Sequence, residues 1–157
     1  AIRAALTGPL VLSPLHTNDA PSAAIRLADM GIQPFLVSSS LLTVIAQRLV
    51  RNLCPSCKQL YHLPSKIAKT LNVPEGTEAY RPVGCNDCRG TGYKGRSAIF
   101  EIMEVSENIR QLIVAGASAD VLRNQALENG MKSLRQSGIV KILEGKTSVE
   151  EVLTTTF

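Results

Sequence analysis

The sequence is poor in aromatic residues: it has no tryptophan, and aromatic side chains make up 4% of its 157 residues. Residues 51–96 form its most basic part. They contain three tyrosines and no phenylalanine. Proteins that bind single-stranded nucleic acid usually stack several aromatic side chains on the bases. Direct binding of nucleic acid is therefore not expected.

The sequence also lacks a long apolar run and a signal peptide. Its longest apolar stretch, residues 35–50, is interrupted by three serines and contains Gln47 and Arg48. A membrane-spanning helix needs about 20 mainly apolar residues, so this stretch predicts a buried helix of a soluble protein. The chain begins at Ala1 without an initiator methionine, which indicates a fragment of a longer protein.

A phosphate-binding loop is missing as well. The motif G-x-x-x-x-G-K-[ST], whose backbone N–H groups hold the phosphates of a nucleotide, does not occur in the sequence. The chain is therefore not expected to hold a nucleoside triphosphate on its own, and its cofactor-binding residues are unknown.

Four cysteines lie inside the basic segment and carry the strongest chemical signal. Cys54 and Cys57 form one C-x-x-C pair, and Cys85 and Cys88 form a second pair, with 27 residues between the two pairs. Two such pairs can surround one tetrahedral ion with four thiolates, which predicts a closed, structural zinc site. Two disulfides or four free thiols are the alternatives, although disulfides need an oxidising compartment.

The zinc site would have a large effect on stability. Residues 59–84, between the two pairs, contain few large apolar side chains. Structural zinc of this kind contributes on the order of 10 kcal/mol to folding. This segment would therefore need the bound zinc ion to adopt a folded structure.

The N-terminal part predicts a strand, a polar loop and a helix. Residues 10–13 are a short apolar run that ends at Pro14, and His16 lies in the loop that follows. Asp19 is the predicted N-cap of a helix that ends at Gly31. His16 is either a ligand-binding residue beyond the end of the strand or a side chain that only caps the helix.

Further helices follow. A second helix is predicted from Pro34 to about Val50, and residues 97–105 predict a strand or extended connector. Three or four helices come after it, with Ser106 and Ser118 as N-caps. The last one has capping-box spacing at residues 147–150. Predicted C-terminal stops are Gly116, Gly130 and Gly145.

Three stretches together resemble the secretion ATPases, the family that drives type II secretion and assembles type IV pili. Residues 6–20 (LTGPLVLSPLHTNDA) are similar to the histidine box of that family. Residues 46–51 (AQRLVR) lead directly into the first cysteine pair. Residues 84–96 (GCNDCRGTGYKGR) are followed by AIFE at 98–101. The tetracysteine insertion resembles the assembly-type branch, and the likeness covers essentially the whole chain.

The resemblance implies an α/β fold in three parts. Residues 1–50 would be the C-terminal part of a RecA-like nucleotide-binding core, residues 51–96 a zinc-binding subdomain, and residues 97–157 a helical C-terminal subdomain. His16 matches the box histidine that approaches the γ-phosphate of ATP. Pro9 and Pro14 stand where the family usually has other residues, and a proline cannot donate to a strand ladder.

The resemblance also implies partners and a location. The full-length protein would bind ATP and Mg²⁺ and act as a cytoplasmic hexamer, peripheral to the inner membrane and docked on a membrane platform protein. Lys58, Arg89 and Lys94 would provide a surface of the zinc subdomain for that platform or a neighbouring subunit. The alternative is a zinc-stabilised module that binds protein or nucleic acid, in which His16 is structural.

Overall fold

The computed structural model describes residues 1–156 and has a mixed α/β architecture. Its elements, in chain order, are α1 (Ile2–Ala5), α2 (Ala20–Asp29), α3 (Pro34–Ser40), β1 (Thr43–Leu53), β2 (Gln59–His62), α4 (Ser65–Leu71), β3 (Glu78–Arg81), a 3₁₀ turn (Asn86–Cys88), β4 (Tyr93–Glu104), α5 (Glu107–Val114), α6 (Ala119–Glu128), α7 (Leu134–Leu143) and α8 (Val149–Thr155). Among these residues, no helix is both long and apolar enough to cross a bilayer.

The strands form two separate pairs. The long strands β1 and β4 pair with each other, and β2 pairs antiparallel with β3, with Gln59 opposite Arg81 and His62 opposite Glu78. The chain divides into two compact units, which consist of residues 1–47 with 100–133 and of residues 48–99 with 134–157. The division into residues 1–50, 51–96 and 97–157 stays a prediction.

The first unit is built mainly from helices. Helix α2 packs against α6, and α3 packs against α5. Its buried side chains include Val37, Met103, Ile109 and Leu122. Asp19 is the N-cap of α2, as predicted, because its carboxylate accepts a hydrogen bond from the Ser22 N–H at 2.9 Å.

The second unit holds the cysteine segment and the last two helices in one core. Leu63, Ala68, Leu71 and Ala79 from the segment between the cysteine pairs pack with residues of α7 and α8. The residues that these two helices contribute are Ile142, Val149 and Val152. The segment thus shares an apolar core with α7 and α8, which the sequence alone did not suggest, because these partners lie far along the chain.

The predicted helix from Pro34 to Val50 is wrong in its second half. Helix α3 ends at Ser40, and residues 43–53 form strand β1. The hydroxyl groups of the three serines bond to carbonyls one turn back, a competition with the backbone that disfavours continuation of a helix. Thr43 and Ile45 are β-branched and suit a strand, and pairing with β4 decides the outcome.

The predicted strand at residues 10–13 is also absent from the described part of the chain. Residues 9–17 have no regular structure there, and the side chains of Leu10 and Leu12 are 77% and 89% exposed. A strand needs a ladder partner, and among the described residues no strand pairs with this segment. Pro9 and Pro14 further remove two N–H donors from this segment.

The C-terminal elements confirm most of the predictions. Strand β4 includes the predicted extended segment, and four helices follow it. Ser106 and Ser118 cap α5 and α6, and the three predicted glycine stops all have positive φ. The last cap is one residue later than predicted: Ser148 caps α8, and the Thr147 hydroxyl instead donates to the Arg51 carbonyl at 2.7 Å.

Candidate metal centre and the His16 segment

The four cysteines come together in the second unit. Cys54 and Cys57 follow the end of β1, Cys85 directly precedes the 3₁₀ turn, and Cys88 is the last residue of that turn. All four Sγ atoms lie within 4.8 Å of one another, and three of the pairs are 3.8–3.9 Å apart. A tetrahedron with zinc–sulfur bonds of 2.3 Å has edges of about 3.8 Å, so the four sulfurs have the spacing of a zinc site.

The alternative of paired sulfurs does not describe this structure. All four cysteines are free thiols, two of them buried and two partly buried. Sulfurs in a disulfide are about 2.0 Å apart, which is far shorter than the separations found here. A tetrahedral set of free thiols fits the chemistry of zinc, which prefers four thiolates in structural sites.

Backbone N–H groups point at the sulfurs. The Gly84 N–H donates to Cys57 Sγ at 3.3 Å. Cys88 Sγ accepts from two N–H groups, those of Cys85 and Gly92, each at 3.2 Å. Such donors stabilise the negative charge of a thiolate, the form of cysteine that binds metal.

The thiols differ in how readily they lose a proton. Burial tends to raise the pKa of Cys88, but the N–H groups of Cys85 and Gly92 and the neighbouring thiols outweigh it and lower that pKa to about 6. Burial and the neighbouring thiols raise the pKa of Cys57 to about 11, against the opposing N–H of Gly84. Of these two thiols, Cys88 therefore carries a negative charge more readily than Cys57.

Two glycines permit the turn around the second cysteine pair. Gly84 and Gly92 have φ values of +111° and +76°, which favour glycine over residues with a Cβ. A Cβ at Gly84 would lie 2.6 Å from the carbonyl oxygen of Gly90, and one at Gly92 would lie 2.5 Å from Cβ of Pro82. Both positions therefore need glycine for conformation and for space.

Contacts between the two cysteine loops hold them together. The Ser56 hydroxyl donates to the Asp87 carboxylate at 2.7 Å, and the Cys54 N–H donates to the Gly92 carbonyl at 2.9 Å. Within the first loop, the Lys58 N–H donates to the Cys54 carbonyl at 3.0 Å. The arrangement of the sulfurs is thus supported by the chain around them.

Lys58, which the sequence placed on a contact surface, also makes contacts within its own unit. Its ammonium donates to the Gly145 carbonyl at 2.8 Å and lies 4.4 Å from the centre of the Tyr80 ring. The carbonyl of Gly145 follows helix α7, where a cation is favourable. Arg89 and Lys94 are exposed and remain available for a partner.

A charged pair fixes the end of β1 against α8. The Arg51 guanidinium donates two hydrogen bonds to Glu151 Oε2, at 2.6 and 2.8 Å. The backbone N–H of Arg51 donates to Glu151 Oε1 at 2.9 Å. The guanidinium also lies over the Tyr93 ring at 4.1 Å. Burial tends to raise the pKa of Glu151, but the hydrogen bonds from Arg51 outweigh it and hold the pKa below 4.5.

Glu151→Gln is expected to lose about 1–2 kcal/mol of unfolding free energy at neutral pH, since Arg51 is half exposed and the pair is partly screened. The lowered pKa of Glu151 gives stability that is present above its ordinary value of 4.5 and is lost as the pH falls through the folded-state pKa. The difference between the two proteins should therefore shrink only as the pH falls below 4.5. Urea unfolding at several pH values measures it.

Glu150→Gln is the matched control, because Glu150 is exposed on the same turn of α8. Its effect should stay within about 0.5 kcal/mol at every pH. A wild-type advantage over Glu151→Gln that does not change with pH would contradict the assigned carboxylate–guanidinium interaction.

His16 lies in the first unit, exposed, in the irregular segment before α2. The residues directly after it are anchored: the Thr17 hydroxyl donates to the Asp19 carbonyl at 3.1 Å, and Asp19 Oδ2 lies 3.2 Å from the Arg123 guanidinium. A cavity of about 310 Å³ borders this turn and is lined partly by Asn18 and Arg26. The role of His16 stays a prediction.

Glu101, which the sequence motifs include without a predicted role, contacts this same turn. Its carboxylate Oε1 accepts a hydrogen bond from the Ala20 N–H at 2.8 Å, and the side chain is 2% exposed. The sequence pattern could have indicated its burial. Side chains alternate between the two faces of a strand, so Glu101 lies on the same face as Ile99 and Met103, which are both fully buried. Alternation therefore put a carboxylate on the buried face.

Known proteins resemble this chain over nearly its whole length. The family model described as Type II/IV secretion system protein matches residues 1–154. The chain is 50% identical over 157 residues to the type IV pilus assembly ATPase TfpB of Acinetobacter baylyi, covering 98% of this chain and 27% of that protein. It is 45% identical over 158 residues to the type II secretion system protein E of Aeromonas hydrophila, covering 99% of this chain and 31% of that protein.

A second pilus protein agrees with these two. The type IV pilus assembly ATPase PilB of Myxococcus xanthus is 48% identical over 157 residues, which cover 97% of this chain and 28% of that protein. The chain thus spans less than a third of the length of these curated relatives. Because the family model matches almost every residue, the resemblance seen in the sequence is confirmed, and the chain belongs to the family of type II/IV secretion system proteins.

Proposed function

We propose that this chain is part of an ATPase that powers type II protein secretion or type IV pilus assembly. The observation that carries the proposal is the family match over residues 1–154, together with relatives named as pilus assembly ATPases. The full-length protein would bind ATP and Mg²⁺. The chain by itself would be inert towards ATP, because it contains no phosphate-binding loop.

The three proposed parts have different tasks. Residues 1–50 would complete a RecA-like nucleotide-binding core, in which His16 donates a hydrogen bond near the γ-phosphate and stabilises charge during phosphoryl transfer. Residues 97–157 would form the helical C-terminal subdomain. The exposed position of His16 supports this role, since its side chain is accessible to a ligand.

Residues 51–96 would hold a structural zinc ion on Cys54, Cys57, Cys85 and Cys88. The tetrahedral spacing of the sulfurs and the N–H groups directed at them support this assignment. Bound zinc would add a fixed cross-link between the two cysteine loops and would leave no coordination position open for a substrate.

The full-length protein would act as a hexamer in the cytoplasm, peripheral to the inner membrane, and would contact the platform and other membrane components of its machinery. The exposed cations Arg89 and Lys94 of the zinc segment would face such a partner, and their charge would favour an acidic surface. Lys58 would contribute its charge to the same surface, although its ammonium also donates to the Gly145 carbonyl.

The alternative of a stand-alone binding module has less support. Two of the cations on which it relied, Arg51 and Lys58, are held by Glu151 and by the Gly145 carbonyl. Cations that are engaged inside a unit contribute less to recognition of a nucleic-acid backbone than free ones.

His16→Ala tests the proposed function in the full-length protein. Turnover of ATP should fall by about tenfold or more, because one donor to the developing charge is lost, while the far-UV circular dichroism stays unchanged. His62→Ala is the matched control: His62 is the second histidine of the chain, is exposed in β2, and its Nδ1 hydrogen-bonds to the Gly76 carbonyl. Equal ATPase rates for the two variants would refute the role of His16.

A further inference from the structure

Glu101 is a buried carboxylate inside the first unit. It lies in β4, on the strand face whose residue Met103 is fully buried, and its own side chain is 2% exposed. Removing a carboxylate from water is unfavourable unless donors compensate it. A buried acidic residue on an otherwise apolar strand face therefore needs a specific reason.

Glu101 bonds to the start of helix α2. Its Oε1 accepts the hydrogen bond of the Ala20 N–H at 2.8 Å, and Ala20 is fully buried. The first N–H groups of a helix have no partner within the helix, and the helix dipole favours a negative charge there. The Asp19 carboxylate accepts from the N–H of Ser22. The two carboxylates therefore each accept one of the N–H groups in the first turn of α2.

The same turn is held from a second direction. Arg123 of α6 pairs with Asp19 at 3.2 Å, and the Thr17 hydroxyl donates to the Asp19 carbonyl at 3.1 Å. Residues 17–20 are therefore bound both to β4 and to α6, which come from the far end of the sequence. His16 is the residue immediately before this anchored turn, so its backbone position depends on these bonds.

We infer that Glu101 is a positioning residue for His16 in ATP hydrolysis, and that Arg123 assists it. The inference rests on the proposed function, because it requires that His16 act on the nucleotide. A hydrogen-bond donor stabilises a transition state only when it is held close to the required position, and a displacement of 1 Å can cost about a hundredfold in rate. Glu101 supplies the buried, fixed end of the short chain segment that carries His16.

The test is a double-mutant cycle in the full-length protein, with kcat and KM for ATP as readouts. Glu101→Ala should lower kcat by about tenfold with KM changed by less than about threefold, because only the placement of His16 is disturbed. Glu101→Gln keeps an oxygen acceptor for the Ala20 N–H and should restore most of kcat. In the His16→Ala background, Glu101→Ala should add less than about a twofold further loss.

Met103→Ala is the matched structural control, because it removes a buried side chain from the same strand face and leaves the Glu101 carboxylate in place. It should lower the melting temperature and leave kcat unchanged at temperatures well below melting. If Glu101→Ala fails to fold, Arg123→Ala decides instead: Arg123 is partly exposed, and its loss should lower kcat by about threefold only when His16 is present.

The outcomes separate the two proposals. An unchanged kcat in His16→Ala would refute the role of His16 and, with it, the positioning role. A low kcat in His16→Ala together with independent, multiplying losses from Glu101→Ala or Arg123→Ala would overturn only the positioning role. Equal losses of kcat in Glu101→Gln and Glu101→Ala would show that the hydrogen bond to the Ala20 N–H is not how Glu101 positions His16.

Discussion

Replacing Cys88 with serine is expected to abolish zinc binding and to destabilise the unit formed by residues 48–99 and 134–157. The wild-type protein should contain about one zinc ion per chain and the variant almost none, because three thiolates do not complete the closed tetrahedral shell. Structural zinc contributes on the order of 10 kcal/mol to folding, so its loss is among the largest single-residue effects available here. Cys88 Sγ also accepts two backbone N–H groups, which would lose their charged acceptor.

The loss should extend beyond the cysteine loops. Leu63, Leu71 and Ala79 share one core with α7 and α8. Arg51 bonds to Glu151 of α8, and Lys58 bonds to the Gly145 carbonyl just after α7. Amide hydrogen exchange should therefore quicken in residues 54–88 first and then in 134–155, since local openings follow packed units. Metal analysis and exchange measured on wild-type protein, chelator-treated protein and the variant provide the readouts.

Ser56→Ala is the control for the cysteine variant. Ser56 lies between the first two cysteines and bonds to Asp87, but it offers no thiolate. This variant should keep its zinc and lose only about 1 kcal/mol. A Cys88→Ser protein with full zinc content, or metal-free protein whose residues 54–88 exchange as slowly as with metal, would contradict the proposed site.

Gly92→Ala is expected to be much more damaging than Gly90→Ala, although the two glycines have nearly the same φ, +76° and +77°. Both substitutions force a Cβ into the left-handed region, which costs about 1–2 kcal/mol. At Gly90 the added carbon meets no atom within 4 Å, whereas at Gly92 it would lie 2.5 Å from Cβ of Pro82. Overpacking of this kind adds about 1–3 kcal/mol, and displacement of the Gly92 N–H would also weaken its bond to Cys88 Sγ.

Urea unfolding of the two variants measures this difference, because the shared backbone strain cancels between them. Zinc affinity, followed by competition with a chelator, should fall for Gly92→Ala and stay near wild type for Gly90→Ala. Equal unfolding free energies for the two variants would show that the close approach to Pro82 has no role in the second cysteine loop.

Local features were predictable because they depend on residues a few positions apart. The N-caps Asp19, Ser106 and Ser118 each bond to an N–H three residues later, as their sequence positions predict. The spacing within each cysteine pair likewise predicts a turn whose two sulfurs face the same side. The shift of the last cap to Ser148 arose because Thr147 bonds to Arg51, a residue far away in sequence.

Features that depend on distant partners were not predictable. An apolar run such as residues 43–50 suits a helix or a strand, and only pairing with β4 decides between them. Leu10 and Leu12 have a pattern typical of a strand, but the described chain offers them no ladder partner, and they stay exposed. Alternation along the strand placed Glu101 on the buried face, yet nothing nearby in the sequence indicated that it would bond to the Ala20 N–H.

The sequence by itself determined the donor atoms of the candidate metal centre and the family to which the chain belongs, because ligand type, short spacing and motif order are properties of the residues themselves. Only the tertiary structure decided that the four sulfurs meet, that α7 and α8 share the core of the cysteine segment, and that Glu101 anchors the turn after His16. These contacts join residues far apart along the chain, and such pairs form only when folding buries apolar surface and satisfies the buried polar groups together.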